Sequence, residues 1–350
     1  MKLIYCTLFD VNYLSRGLAM YDSLVKSCPA FHLYIFAFDV QSQEILIKLQ
    51  LPHTTIISLN EFEDEALLAV KAKRSKAEYC WTCTPSTISY VLKKYKEPHC
   101  TYIDADMIFY SNPQPIYDEM GESSVLITLH NHTYDNEEKN AKFGKYCVQY
   151  MTFKNNEQGM EVLEWWRNAC IEWCYDKIED GKYGDQKYLD DWTERFPGVH
   201  VLKHKGGGLA TWNIEQFKVE IEGGRYFAIE KATEKKFQFI FYHFHGVKFF
   251  ADRIVWYTPD FISPIVVKEI YHKYVGLILD AENRVKMIYD SYNPDIILKT
   301  STQRPLSLRD KIYLYRTGIL NNLKGLKLFE AIHEAKKLHR KFQTHHYYYY

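Results

Sequence analysis

The order of hydrophobic patterns between Lys2 and Leu59 constrains the fold of this chain more than any other feature. Lys2 to Leu8 is a short strand-like run. Tyr13 to Lys26 repeats Leu14, Leu18, Tyr21, Leu24 and Val25 at helical spacing, entered through the turn Asp10-Val11-Asn12. His32 to Phe38 is a second strand ending at Asp39, Ser42 to Leu51 a second helix, and Thr54 to Leu59 a third strand. This βαβαβ alternation predicts an α/β fold, a largely parallel sheet with helices on its faces.

The alternation continues. A helix from about Thr87 to Lys96 leads into Thr101-Tyr102-Ile103-Asp104-Ala105-Asp106-Met107-Ile108-Phe109-Tyr110, a β-rich run broken by two carboxylates at a strand end. Val125 to Thr128 and Cys147 to Phe153 read as strands, Glu161 to Tyr175 as a strong amphipathic helix, and Gly184 to Phe196 as another helix. Lys205-Gly206-Gly207-Gly208 is expected to be a loop with unusual dihedrals or a close approach by a ligand. From Phe237 to His245 the alternation puts Phe239, Phe241, His243 and His245 on one strand face.

Composition removes several classes of function. With 44 Lys plus Arg against 44 Asp plus Glu over 350 residues, the net charge is zero and a polyanion meets no general attraction, which argues against nucleic acid as a partner. Met1 to Asp10 lacks the pattern of a secretory signal, and no run reaches the ~18 apolar residues of a spanning helix, so a cytoplasmic location is expected. The 8 Cys are read as reduced thiols packed in the core, Cys80-Trp81-Thr82-Cys83 included. Trp165, Trp166 and Trp173 are likewise read as core.

Three constellations carry chemistry. Asp104-Ala105-Asp106 offers two carboxylates that can share a hard divalent cation. Such a triplet arises about once by chance in a chain of this length, so its weight lies in its position after a βαβαβ unit, where open sheets bind ligands. Tyr242-His243-Phe244-His245-Gly246-Val247-Lys248 offers imidazole ligands and a cation for phosphate. Each His alone reads as a core residue, but beside the Asp pair the metal role is preferred. Gly184-Asp185-Gln186 opens a helix, where Asp185 either complements the helix dipole or binds sugar hydroxyls beside a reacting carbon.

The opening Tyr5-Cys6-Thr7-Leu8-Phe9-Asp10-Val11-Asn12-Tyr13-Leu14-Ser15-Arg16-Gly17-Leu18 is followed in order by the Asp-x-Asp of Tyr102 to Asp106, by Asp185-Gln186, by Leu209-Ala210-Thr211-Trp212-Asn213 and by His243-x-x-Gly246. This series, over residues 1–250, resembles GT-A fold glycosyltransferases, most of all the retaining family 8 type and bacterial nucleotide-diphospho-sugar transferases that build surface glycans. The resemblance implies a Rossmann-like mixed sheet flanked by helices, with a C-terminal, mostly helical extension. It implies a nucleotide-sugar-binding catalytic domain over 1–250. Residues 251–310 are then expected to recognise the acceptor, and 311–350 to form a basic helical tail.

The implied activity is transfer of a sugar from a nucleotide-sugar donor, UDP-linked, to a glycan or lipid-linked acceptor in surface polysaccharide or lipopolysaccharide synthesis. The implied donor site comprises Thr7, Phe9, Asp10, Tyr13, Arg74, Asp104, Ala105, Asp106, Gly246 and Lys248, with Tyr13 stacking on the base and Asp10 accepting a hydrogen bond from it. Mn²⁺, or Mg²⁺, would be held by Asp104, Asp106 and His243, with His245 as substitute. Asp185 and Gln186 take the catalytic positions at the donor sugar, and Trp212 and Asn213 the acceptor. Three departures stand out. Thr84-Pro85-Ser86 occupies the place of the family's Arg, for which Arg74 is the candidate replacement; Cys147-Val148-Gln149 replaces Asn-x-Gly; and Lys248 lies one residue closer to Gly246 than usual.

Other classes share parts of this pattern. A haloacid-dehalogenase-like phosphatase also uses Asp-x-Asp after an apolar strand, but near its N-terminus and followed by Gly and Thr. A nucleotidyltransferase has an early Gly-rich loop that this chain lacks, and a non-catalytic nucleotide or sugar binder could keep the same fold. Near the C-terminus Lys327, Lys336, Lys337, Arg340 and Lys341 accompany Leu328, Ile332, Ala335 and Phe342, either as a solvated helix face or as a peripheral contact with anionic membrane. His345 to Tyr350 is expected to fray.

Overall fold

A computed structural model describes residues 1–133, 138–249, 254–258, 262–292 and 347–349. They form two compact units, the first Met1–His243 with Gly276–Asn293, the second Phe244–Val275 with Pro294–Tyr350. The basic tail expected over 311–350 lies almost wholly outside the described residues.

The first unit begins with the expected alternation: β1 (Leu3–Phe9), α1 (Leu14–Ser27), β2 (Phe31–Ala37), α2 (Val40–Leu49) and β3 (Thr54–Ser58). Two short helices, α3 (Leu59–Phe62) and α4 (Glu65–Lys71), precede the long α5 (Lys76–Lys94). That helix starts well before the expected Thr87. Ser75 and Glu78 form a reciprocal capping box at its N-terminus, and Pro85 sits inside it, where it forfeits one backbone hydrogen bond. Then come β4 (His99–Ile103), β5 (Met107–Phe109), α6 (Gln114–Met120), β6 (Val125–Leu129), α7 (Glu138–Phe143), β7 (Tyr146–Lys154) and α8 (Glu157–Glu172). The helix expected over Gly184 to Phe196 is a 3-10 turn at Lys187–Asp191 running into α9 (Trp192–Arg195).

The main sheet has seven strands in the order β3-β2-β1-β4-β7-β6-β8, where β8 is Val199–Val201. Strands β1 to β4 are parallel and β7 runs against both of its neighbours. This is the mixed α/β sheet expected from the sequence. Both faces are covered, so β1 is buried along its whole length. Leu3, Tyr5 and Phe9 point into one core with Leu14, Leu18 and Leu24 of α1, while Ile4, Cys6 and Leu8 point into the other with Cys83 and Ile88 of α5 and Trp166 of α8. Trp166 and Trp192 are fully buried, and burying a side chain of that size contributes on the order of 2–3 kcal/mol. All eight cysteines are free, and Cys83 packs in the second core as expected.

A smaller sheet has β5 between β13 (Phe241–His243) and α1, with β9 (Gly207–Ala210) on the far side of β13. Gly207 and Gly208 therefore belong to a strand rather than a loop. The close approach expected at the glycines is real, but protein makes it. A Cβ on Gly206 would lie 2.0 Å from the Gln238 carbonyl oxygen, and one on Gly207 2.7 Å from side chains of Ile116 and Leu202. Strands β10 (Phe217–Glu222), β11 (Arg225–Glu230) and β12 (Lys236–Gln238) form an antiparallel meander.

In the second unit β14 (Lys248–Phe249) pairs with β15 (Ile254–Trp256), which pairs in turn with β16 (Tyr347–Tyr349). The terminal tyrosines expected to fray thus form a strand. Helix α10 (Pro264–Val266) runs through a π turn at Val267–Tyr271 into α11 (His272–Ile288). From Gly276 that helix belongs to the first unit, where Ala281, Val285 and the following Tyr292 join the α1 side of the core. Among the described residues no helix is long and apolar enough to cross a membrane.

Candidate active site

Strand order fixes where a ligand can enter. The chain proceeds from β1 to β2 on one side and lays β4 on the other, so the loops after β1 and β4 diverge at the point where the order reverses. Open α/β sheets bind ligands in that crevice. The loop after β1 is Asp10–Tyr13 and the loop after β4 is Asp104-Ala105-Asp106. Register brings in the third component. Strand β13 pairs antiparallel with β5 so that His243 lies opposite Met107, which sets its ring beside Asp106.

The resulting cluster is tight. His243 Nε2 is 3.0 Å from Asp106 Oδ1 and 3.6 Å from Asp104 Oδ2, and the three residues' ligand atoms all lie within 4.8 Å of one another. Tyr102 donates its hydroxyl to Asp104 Oδ1 at 3.0 Å. Burial, with Asp106 adding to it, pushes the Asp104 carboxyl up to about 6 despite the opposing pull of His243. Burial works against the His243 imidazolium, but the Asp106 and Asp104 carboxylates outweigh it and hold its pKa well above the usual histidine range. Two hard oxygen donors and an imidazole crowded at this cost form a donor set that a divalent cation fits. His245 is exposed beyond the end of β13 and has no part in the cluster.

The loop after β1 is tied by side-chain hydrogen bonds and an ion pair. Asp10 Oδ1 accepts the backbone N–H groups of Asn12 and Tyr13 at 3.0 and 3.1 Å, and its other oxygen pairs with Lys76 of α5. These contacts shape the loop that carries the carboxylate expected to meet a base. Asp39 ties the loop from the other side, accepting Val11 N–H at 2.9 Å while it caps α2. Thr7 and Phe9 are buried, the Phe9 ring against Gly17, and so support the loop from beneath. Tyr13 is 42% exposed and its ring carries the Arg16 guanidinium at 4.6 Å. Desolvation and the nearby Asp106 push its phenol up to about 12, which links the two loops electrostatically.

Asp185 is buried, and burial together with the Asp104 carboxylate pushes its pKa up to about 8. Thr84 hydrogen-bonds this carboxyl, and Trp166 Nε1 donates to the Asp185 carbonyl at 2.9 Å. Gln186 Nε2 donates to the Phe143 carbonyl at 2.8 Å, tying down the end of α7. Trp212 stands edge-on to His243 at 5.5 Å and donates Nε1 to the His130 carbonyl. Asn213 spends its amide on backbone: Nδ2 donates to His130 and Gly208 carbonyls and Oδ1 accepts from Ala210.

Arg74 donates to the carbonyls of Ile171 and Glu172 at the end of α8 and stacks on Tyr175 at 3.8 Å, a helix-capping role. Gly246 and Lys248 belong to the second unit, Gly246 with a positive φ of 77° and Lys248 exposed with its amine 5.2 Å from the Trp256 ring. Residues without a site role in the sequence reading are Tyr102, Thr84 and above all Gln149, the last two noted only as departures from the family pattern. Gln149 Oε1 lies 2.8 Å from His243 Nδ1. The strand pattern around Gln149 was readable, but nothing in it pointed to a His so distant in sequence.

No family model matches the chain. It is 31% identical over 277 residues to the uncharacterized protein YfnD of Bacillus subtilis (strain 168), a match covering 77% of this chain and 87% of YfnD. It is 32% identical over 251 residues to YfnF of the same organism, covering 70% of this chain and 81% of YfnF. Glycosyltransferases are among the solved structures it resembles. They include apo GlyE of Streptococcus pneumoniae TIGR4 (TM-score 0.48, 11% identity, 87% of this chain and 66% of that one). Mouse xyloside xylosyltransferase 1, also apo, is another (TM-score 0.41, 13% identity, 58% of this chain and 85% of that one). At nearly a third identity across most of their length and its own, the chain belongs to the same family as YfnD and YfnF.

Proposed function

We propose that the chain is a glycosyltransferase of GT-A type that moves a sugar from a nucleoside-diphosphate donor, UDP-linked, to a glycan or lipid-linked acceptor. The observation that carries this reading is the convergence of Asp104, Asp106 and His243 at the crevice where the strand order reverses. Asp104, Asp106 and His243 would hold Mn²⁺ or Mg²⁺, which supplies positive charge against the leaving diphosphate.

The chain's own residues do the rest. Tyr13, exposed and backed by Arg16, offers a ring on which a base can stack. Asp10, held by Asn12, Tyr13 and Lys76, fixes the loop that presents that ring. Asp185, whose carboxyl burial and Asp104 push up to about 8, and Gln186 beside it take the donor sugar. Trp212 borders the acceptor side. Retention of configuration, a role in surface polysaccharide or lipopolysaccharide synthesis, and a cytoplasmic place at the inner membrane face complete the reading. A phosphatase has less support. Asp104, which would be its nucleophile, accepts the Tyr102 hydroxyl and faces His243.

Calorimetric titration of UDP tests the donor site. Binding that strengthens at least tenfold when Mn²⁺ replaces chelator, and loses that gain in His243→Ala, is expected. Equal binding with and without metal in both proteins would contradict the reading.

A further inference from the structure

Gln149 lies at the middle of β7, opposite the end of β4, and touches both sides of the acidic cluster. Its backbone carbonyl accepts the Asp104 N–H at 3.1 Å. Its side-chain Oε1 lies 2.8 Å from His243 Nδ1. The side chain is fully buried, and its Nε2 has no hydrogen-bond partner among the described residues. A lone buried amide N–H₂ costs on the order of 1–3 kcal/mol, and an apolar side chain would avoid that cost. What this residue supplies in return is an acceptor aimed at one ring nitrogen.

An imidazole can bind a metal only through a nitrogen that carries no proton, and which nitrogen that is depends on the hydrogen bond made by the other. An oxygen acceptor at Nδ1 requires the proton to sit there. Nε2, the nitrogen that faces Asp106 and Asp104, is then the one that can offer its lone pair.

We propose that Gln149 is a positioning residue for the metal site: it fixes His243 as the Nδ1–H tautomer so that Nε2 joins the two carboxylates, while its carbonyl anchors the Asp104 backbone. This rests on the metal-dependent reading above. Gln149 touches neither substrate nor metal and acts through its two neighbours.

The test is Mn²⁺ affinity, measured by calorimetry without any nucleotide, for wild type, Gln149→Leu, Gln149→Glu and Asp106→Asn. Leu keeps the volume and removes the acceptor, so its Mn²⁺ Kd should rise about 10- to 100-fold. Glu keeps an oxygen at the same reach and should bind within a few-fold of wild type. Equal affinity in wild type and Gln149→Leu, with Asp106→Asn impaired, would overturn the proposal and leave the metal site standing. Absence of Mn²⁺ binding in wild type itself would overturn both.

Should Gln149→Leu fail to fold, ¹⁵N NMR of the histidine side chains in Mg²⁺-loaded wild type decides the question. A protonated Nδ1 on His243 is expected, and a protonated Nε2 would overturn the proposal.

Discussion

His243 Nε2 lies 3.0 Å from Asp106 Oδ1, so an imidazole from the end of β13 meets a carboxylate from the loop after β4. Each is costly alone in that place. Asp106→Asn and His243→Ala should each lower Mn²⁺ affinity by at least about tenfold and turnover by about 100-fold or more. Both should keep the fold, because the ladder between β13 and β5 is made by backbone. Circular dichroism and thermal unfolding check the fold, and metal titration checks the loss. His245→Ala, changing an exposed residue outside the cluster, should leave Mn²⁺ affinity unchanged.

The Asp185 carboxyl gives a pH dependence with a definite sign. Burial and Asp104 raise its pKa to about 8 in the native state from an ordinary value near 4. Between those pH values the native state holds a proton that the unfolded chain has released, so its contribution to stability falls as pH rises and levels off above about 8. Asp185→Asn removes that titration. In chelator the variant should gain on the order of 1–3 kcal/mol over wild type by pH 8, with almost no gain at pH 4. Urea unfolding across that range measures the difference, and parallel pH profiles for the two proteins would refute the assignment.

Helix α11 enters the core of the first unit through Ala281, Val285 and the following Tyr292, and Arg284 binds Asp22 of α1 at 3.0 Å. Tyr292 is 2% exposed and Met287 is 79% exposed. Tyr292→Ala should cost about 2–4 kcal/mol in urea unfolding and Met287→Ala almost nothing. Similar small effects for both would mean that this segment is not part of the core.

Gly206 has the Gln238 carbonyl where a Cβ would stand. Backbone cannot yield as a flexible side chain can, so Gly206→Ala should cost about 2 kcal/mol or more. Gly223→Ser is the matched control, with nothing within 4 Å of a Cβ but a φ of +55°. It should cost only about 1 kcal/mol from backbone strain. Chemical denaturation of the two variants separates contact from strain.

The parts of the fold that sequence made legible are those set by local pattern. The period of Leu14, Leu18, Tyr21 and Leu24 belongs to α1, and the apolar runs of β1 to β4 leave no other arrangement than a covered sheet. Asp104, Asp106 and His243 could be nominated because strand ends are where such sheets bind ligands. What stayed hidden depends on tertiary pairing. The start of α5 was signalled by Ser75 and Glu78, yet Pro85 and a run of Ser and Thr masked the helix. The contacts of Asp10 with Lys76 and two loop N–H groups depend on the folded loop and could not be read in one dimension. Arg74 reads as a spare cation, and its hydrogen bonds to the Ile171 and Glu172 carbonyls at the end of α8 come only with the fold. Gln149 could not be linked to His243 without the register of β4, β7 and β13.

The most direct measurement is release of free nucleoside diphosphate from a panel of UDP-, GDP- and dTDP-sugars, with Mn²⁺ and with chelator, for wild type beside Asp106→Asn. The account predicts slow, Mn²⁺-dependent release from a UDP-sugar that chelator and Asp106→Asn both abolish. Release that continues unchanged in chelator or in Asp106→Asn, or no release from any donor, would contradict it.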